Sequence, residues 1–130
     1  MNEVMSRERA ANEIKDWLDY KRVKASARES YKSQIEVLEE AMMTGDISLD
    51  NTTFEINQKL VFKVDGLIDS LTYKPRMAVG DLNKVPTKPG DFDGKIAAYI
   101  AALTGKGLSH IQKLDTEDYK IGQAIAVFFI

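Results

Sequence analysis

The apolar positions within residues 6–44 recur every three or four residues, which is the period of an α-helix with one buried face. This segment contains neither proline nor glycine, and it is rich in residues that favour helices. Ser6 is placed to cap its start, and Gly45 to end it. The apolar patch around Trp17 is out of phase with the later stripe, so the pattern allows a bend or break near 19–22. We therefore predict a long N-terminal helix.

Beyond this helix, apolar and polar residues alternate, which predicts β-strands. Leu60, Phe62 and Val64 are expected to lie on one face of a strand. The dipeptide Asp65-Gly66 is a strong signal for a hairpin turn, and residues 67–73 predict the strand that follows it. The sequence therefore predicts a small antiparallel sheet of two or three strands.

The C-terminal part of the chain predicts three short helices after a proline-containing loop at 85–90. The first helix covers 92–104 and stops at Gly105, and a short helix or turn follows at 107–114. Asp115 is placed to cap the last helix. Apolar residues nearly encircle this helix, so it is expected either to be central to the core or to be partly covered by another chain.

These elements together predict an α+β fold with a long N-terminal helix, a small antiparallel sheet and a C-terminal cluster of three short helices. Residues 1–50 are expected to form a helical extension, with 46–51 as a polar connector. Residues 51–130 are expected to form a small α+β domain.

Composition narrows the classes of function. The formal net charge is −2, so the chain has no overall field that would attract nucleic acid or an anionic membrane. There is no cysteine, which removes thiolate chemistry and fits a reducing cytosol. No apolar run approaches the ~20 residues that a membrane-spanning helix needs. The polar segment 1–9 is not expected to act as a secretory signal.

The residues that commonly carry chemistry are isolated from one another. His110 is the single histidine, and it is predicted to be a surface or capping residue. The segment 104–107 resembles a phosphate loop only superficially and is better explained as a helix stop. We therefore predict no catalytic site, no metal and no cofactor. A basic stripe from Lys21 to Lys32 leaves DNA binding open, although the nearby glutamates favour a solvated face.

A long isolated helix needs a tertiary or an intermolecular partner. Its aromatic residues can be interface anchors or core contacts, and the sequence leaves both interpretations open. A homo-oligomer formed through the apolar stripe of the N-terminal helix is one option. The candidate partner-binding residues are Trp17, Tyr20, Val23, Tyr31, Leu38, Met42, Phe129 and Ile130.

Short segments between Phe54 and the C-terminus also follow one another in a characteristic order. They are a strand pair around Asp65-Gly66, then Ser70-Leu-Thr-Tyr-Lys-Pro-Arg76, Val79-Gly-Asp-Leu82, Ala101-Ala-Leu-Thr-Gly105, Leu114-Asp-Thr-Glu-Asp-Tyr119 and Phe128-Phe129. In this order they resemble the small tail assembly chaperones of long-tailed bacteriophages, in the Mu- and P2-like group. Residues 1–50 depart from that pattern.

The resemblance implies a non-enzymatic protein of the host bacterial cytoplasm that coats the tape measure protein and helps to recruit tail tube subunits. Amphipathic surfaces would cover an apolar helical partner until tube subunits replace them. Two alternatives remain: a structural virion or head–tail connector protein, and a small DNA-binding regulator that uses the basic stripe.

Overall fold

The computed structural model describes residues 4–82 and 92–130, and in it helices pack against one face of a three-stranded antiparallel sheet. This confirms the predicted α+β class. The loop predicted at 85–90 lies outside the described residues. The elements are α1 (Arg7–Tyr20), α2 (Ala25–Ser30), α3 (Lys32–Thr44), β1 (Ile47–Leu49), β2 (Ile56–Val64), β3 (Ile68–Tyr73), α4 (Val79–Leu82), α5 (Phe92–Thr104), α6 (Leu108–Ile111), α7 (Thr116–Ala126) and a final 3₁₀ turn (Val127–Phe129).

The N-terminal segment is not one long helix, because the chain breaks and folds back on itself. The break falls where the apolar pattern changes phase, and Arg22 there has a φ of 59°. The N–H of Val4 donates to the carbonyl of Met43 at 2.7 Å, and Arg7 lies 3.5 Å from Glu39. The start of α1 therefore lies beside the end of α3, and the two helices run antiparallel.

The helix caps expected from the sequence are present. The Ser6 hydroxyl accepts a hydrogen bond from the N–H of Arg9 at 3.2 Å, and Gly45 ends α3 with a left-handed φ of 80°. At the start of α7, the Asp115 carboxylate accepts from the N–H of Glu117 at 2.9 Å. Each cap depends only on residues within one turn of the helix end, which is why the sequence could predict it.

The sheet differs from the prediction at its first strand. Part of the segment expected to be a polar connector forms β1, which pairs antiparallel with β2. Three residues are too few for an alternating pattern to be recognised, so pairing with β2 is what makes this segment a strand. The predicted hairpin turn is confirmed, because Asp65 and Gly66 both have positive φ values, 53° and 70°, as a type I′ turn requires.

One hydrophobic core contains side chains from the segment predicted to be an extension and from the segment predicted to be a domain. Its large, fully buried side chains are Ile14, Trp17, Leu38, Met42, Ile56, Leu71, Tyr73, Ile96, Ile100, Leu103, Ile111 and Ile125. The final 3₁₀ turn covers this core on the side where α1 lies. The ring of Phe128 packs edge-on against Trp17 at 5.9 Å and against Tyr31 at 5.6 Å between ring centroids.

Candidate functional site

A groove of about 460 Å³ lies between α3, the middle of β2 and the first half of α7. Its apolar lining comes from Val37 and Ala41 on α3, Val61 and Phe62 on β2, and Ile121 on α7. Val61 and Phe62 are 61% and 58% exposed, and they lie in the part of β2 beyond its pairing with β1, which ends at Gln58. We call this surface the α3–α7 groove.

A large bulge in β2 causes this exposure. Between the pairs Lys59–Ser70 and Val64–Ile68, β2 has four intervening residues and β3 has one. The extra residues cannot all pair with β3, so backbone N–H groups of β2 need other acceptors. The bulge also turns neighbouring side chains away from the core.

Asp118 on α7 supplies the missing acceptors. One carboxylate oxygen accepts from the N–H of Val61 at 3.0 Å, and the other accepts from the N–H of Phe62 at 3.2 Å. Asp118 is fully buried and lies in the first turn of α7, where the helix dipole favours a negative charge. Its carboxylate therefore clamps the bulge and holds the Val61 and Phe62 side chains outward.

Two further buried polar side chains tie this clamp to the sheet. The side-chain amide of Gln58 donates to the Asp118 carbonyl oxygen at 2.9 Å, and the Tyr73 hydroxyl donates to the Gln58 amide oxygen at 2.6 Å. Burial, assisted by the Asp118 charge, raises the pKa of Tyr73 far above its usual range. The hydroxyl of Tyr73 is therefore protonated at neutral pH and donates to Gln58.

A glycine lets α7 approach this network closely. A Cβ built at Gly122 would lie 2.9 Å from the Tyr73 hydroxyl oxygen and 3.0 Å from Cδ1 of Ile100. Contacts this short are not tolerated without movement of the neighbours. Gly122 thus sets the depth at which α7, and Asp118 with it, docks onto the sheet.

The charged residues around the groove are mostly acidic. Glu40, Asp46 and Glu117 line it, whereas Lys120 is the basic residue among the lining side chains that the structure describes. Lys120 is already 3.2 Å from Glu117. Glu40 in turn lies 3.7 Å from Arg7, so among the described rim carboxylates Asp46 is the one without an ion pair, and the groove combines an apolar floor with a rim that is largely paired.

The structure places three of the eight candidate partner-binding residues inside the core. Trp17, Leu38 and Met42 are exposed by 1% or less, so they do not form an accessible surface on this chain. Leu38 and Met42 from the stripe, and Trp17 from the earlier patch, are covered by other elements of the same molecule. The sequence pattern alone could not distinguish this internal cover from a partner.

The other five candidates lie closer to the surface. Tyr20 is 40% exposed and stacks on Phe54, with ring centroids 4.3 Å apart and an angle of 5° between the ring planes. Ile130 is 44% exposed. The remaining three are partly buried and packed against the core: Val23, Tyr31 and Phe129.

Sequence reasoning missed Val61 and misplaced Phe62. Strict alternation put Phe62 on the same face as Val64, but Phe62 is 58% exposed whereas Val64 is 3% exposed. That prediction was wrong because the bulge breaks the two-residue period between them. The available signal was the apolar run Leu60-Val61-Phe62, since consecutive apolar residues do not fit a half-buried strand.

The single histidine lies near the hairpin turn. Nδ1 of His110 is 3.4 Å from a carboxylate oxygen of Asp65, and the ammonium of Lys113 is 3.1 Å from the other oxygen. The hydrogen bond from Lys113 is the main cause that lowers the pKa of Asp65. Among the residues that the structure describes, no group of three or more histidine, aspartate or glutamate side chains could hold a metal ion.

The basic stripe considered for DNA binding does not form one free face. The guanidinium of Arg28 lies 2.9 Å from Asp19 and also donates to the carbonyl of Val23. The ammonium of Lys21 lies over the ring of Phe129. These two cations are therefore turned toward the protein itself and not toward a common surface.

No protein-family model matches this chain, and neither the curated proteins nor the solved structures contain a significant match to it. Within residues 4–82 and 92–130, no helix is long and apolar enough to cross a membrane.

Proposed function

We propose that this protein is a non-enzymatic binding protein that covers an apolar helical segment of a partner with its α3–α7 groove. The observation that carries the proposal is the pair of exposed apolar side chains, Val61 and Phe62, in the bulge of β2. A buried carboxylate, Asp118, holds them outward. A clamp that keeps apolar side chains in water is costly unless those side chains have a binding role.

The shape of the groove favours a helical partner. Its α3 wall is formed by Val37, Glu40, Ala41 and Thr44, which follow one another at helical spacing over about 10 Å. Two turns of an amphipathic helix present anchors at the same spacing. Asp46, which forms no ion pair with the described side chains, favours a basic residue beside those anchors.

We further propose that the partner is the tape measure protein of a long-tailed bacteriophage, with tail tube subunits replacing this chain during assembly in the host cytoplasm. The element Leu114-Asp-Thr-Glu-Asp-Tyr119, which contributes to the resemblance, supplies both the Asp115 cap and the Asp118 clamp. One segment on which the resemblance depends thus builds the α7 side of the groove, and this supports the proposal.

Co-expression with fragments of a tape measure protein from the same phage tests this function. Phe62→Asp should lower the affinity for the captured fragment by about tenfold or more, since it puts a charge on the apolar floor. Because Phe62 is exposed, the melting temperature should change little. Leu67→Asp is the matched control, since Leu67 is 85% exposed and lies outside the groove.

Equal loss of capture in both variants, or in neither, would sink the proposal. Analytical ultracentrifugation of the isolated chain provides a second check. A stable ring-sized oligomer in the absence of any partner would support a connector protein in place of a chaperone.

A further inference from the structure

A second cleft, of about 380 Å³, lies at the opposite end of α7 from the groove. Lys21 follows the end of α1, and Arg76 and Met77 belong to the segment after β3. Phe128 and Phe129 from the final 3₁₀ turn complete most of the lining. The cleft thus combines two cations with apolar and aromatic walls.

The ammonium of Lys21 forms no ion pair with the described side chains, although the Asp81 carboxylate lies beside the cleft and accepts from the N–H of the lining residue Ala78 at 3.1 Å. Nζ lies 3.2 Å from the ring centroid of Phe129 and 5.7 Å from that of Trp17. Among the side chains that the structure describes, no carboxylate is within ion-pair distance of Lys21. The aromatic faces compensate only part of the lost hydration of a partly buried ammonium.

Arg76 brings a second positive charge to the same place. Its guanidinium donates one hydrogen bond to the carbonyl of Tyr20 at 3.3 Å and lies 5.4 Å from the Tyr20 ring centroid. No described carboxylate pairs with it. The remaining N–H groups of this exposed guanidinium are therefore available to a ligand.

We propose that the Lys21–Arg76 cleft binds an oxyanion, a carboxylate or a phosphate, that is attached to an apolar group. Two adjacent cations without an ion-pair partner among the described side chains select a negative group, and the fork of the guanidinium matches the oxygen atoms of either oxyanion. The side chains of Met77, Val79 and Phe128 offer a wall for the apolar part. This site is separate from the α3–α7 groove and does not depend on the function proposed for that groove.

Burial, together with the neighbouring charge of Arg76, lowers the pKa of Lys21 to about 8. Arg76 is the charged group that acts on Lys21, while Asp19 on the same helix is engaged with Lys15 and Arg28. The final 3₁₀ turn contributes aromatic rings and no charge. Only the protonated amine attracts an anion, so binding weakens as the pH rises through 8. An ordinary lysine would keep its charge to about pH 10.

Two-dimensional NMR titration of the full chain with phenylacetate, phenyl phosphate and inorganic phosphate tests this proposal. Chemical-shift changes should appear at the backbone amide signals of Lys21, Arg76 and Phe129. The first two probes distinguish a carboxylate from a phosphate, and inorganic phosphate tests the need for the apolar group. Affinity for the preferred probe should be about fivefold weaker at pH 9 than at pH 7, because Arg76 still binds the probe when Lys21 is neutral.

Lys21→Met and Arg76→Gln should each weaken binding by about tenfold. Lys106→Met is the matched control, because Lys106 is exposed and lies outside the cleft. Unchanged affinity in Arg76→Gln would overturn the proposal. Arg76 is exposed, so this variant remains decisive even if Lys21→Met does not fold.

The two proposals can fail separately. If Phe62→Asp loses its partner but still binds the anion probes, both proposals stand. If Arg76→Gln binds the probes as tightly as the unaltered chain, only the cleft proposal fails.

Discussion

Replacing Asp118 with alanine removes the acceptor of two backbone N–H groups in the bulge of β2. A hydrogen bond to a charged group contributes about 1.5–3 kcal/mol, and a donor left without a partner costs about 1–3 kcal/mol. Val61 and Phe62 are exposed enough for water to replace part of this loss. We therefore expect a loss of about 2–4 kcal/mol, a large share of the ~5–15 kcal/mol that stabilises a typical domain.

Urea unfolding followed by circular dichroism measures this loss, and hydrogen exchange at the Val61 and Phe62 amides locates it. Asp115→Ala is the matched control, because it removes a carboxylate from the same helix end and typically costs about 0.5–2 kcal/mol. The reasoning is refuted if Asp118→Ala is no more destabilising than Asp115→Ala, or if exchange at the two bulge amides does not accelerate.

Two further substitutions test the packing around α7. Gly122→Ala should destabilise the fold by about 1–3 kcal/mol, because the added Cβ would lie 2.9 Å from the hydrogen-bonded Tyr73 hydroxyl. A thermal unfolding midpoint at or above that of the unaltered chain would contradict this close approach. Phe128→Ala should cost about 2–4 kcal/mol, less than a fully buried phenylalanine, since its ring joins Trp17 to Tyr31. An unchanged urea midpoint for Phe128→Ala would show that this ring does not contribute to the core.

The sequence could predict features whose cause lies within a few residues. Helical periodicity, the Ser6 and Asp115 caps, the Gly45 stop and the Asp65-Gly66 turn all depend on local sterics and local hydrogen bonds. The break of the N-terminal helix was also visible, as a change of phase in the apolar pattern. Those signals were sufficient to predict the α+β class of the fold.

Features that depend on distant segments were decided only by the tertiary structure. β1 is a strand because β2 pairs with it, and the predicted stripe through Leu38 is core because other elements of the same chain cover it. A periodic pattern shows that a face is buried, but it does not show what buries it.

The α3–α7 groove illustrates the same limit at the candidate site. The acceptor for the Val61 N–H is a carboxylate 57 residues further along the chain. The sequence determined that α7 begins with acidic residues and that β2 contains an apolar run. Only the docking of α7 onto the sheet, at a depth permitted by Gly122, places that carboxylate in the bulge and leaves Phe62 exposed. The reason is that the backbone N–H groups left unpaired by a bulge need an acceptor, and here a distant segment of the chain supplies it.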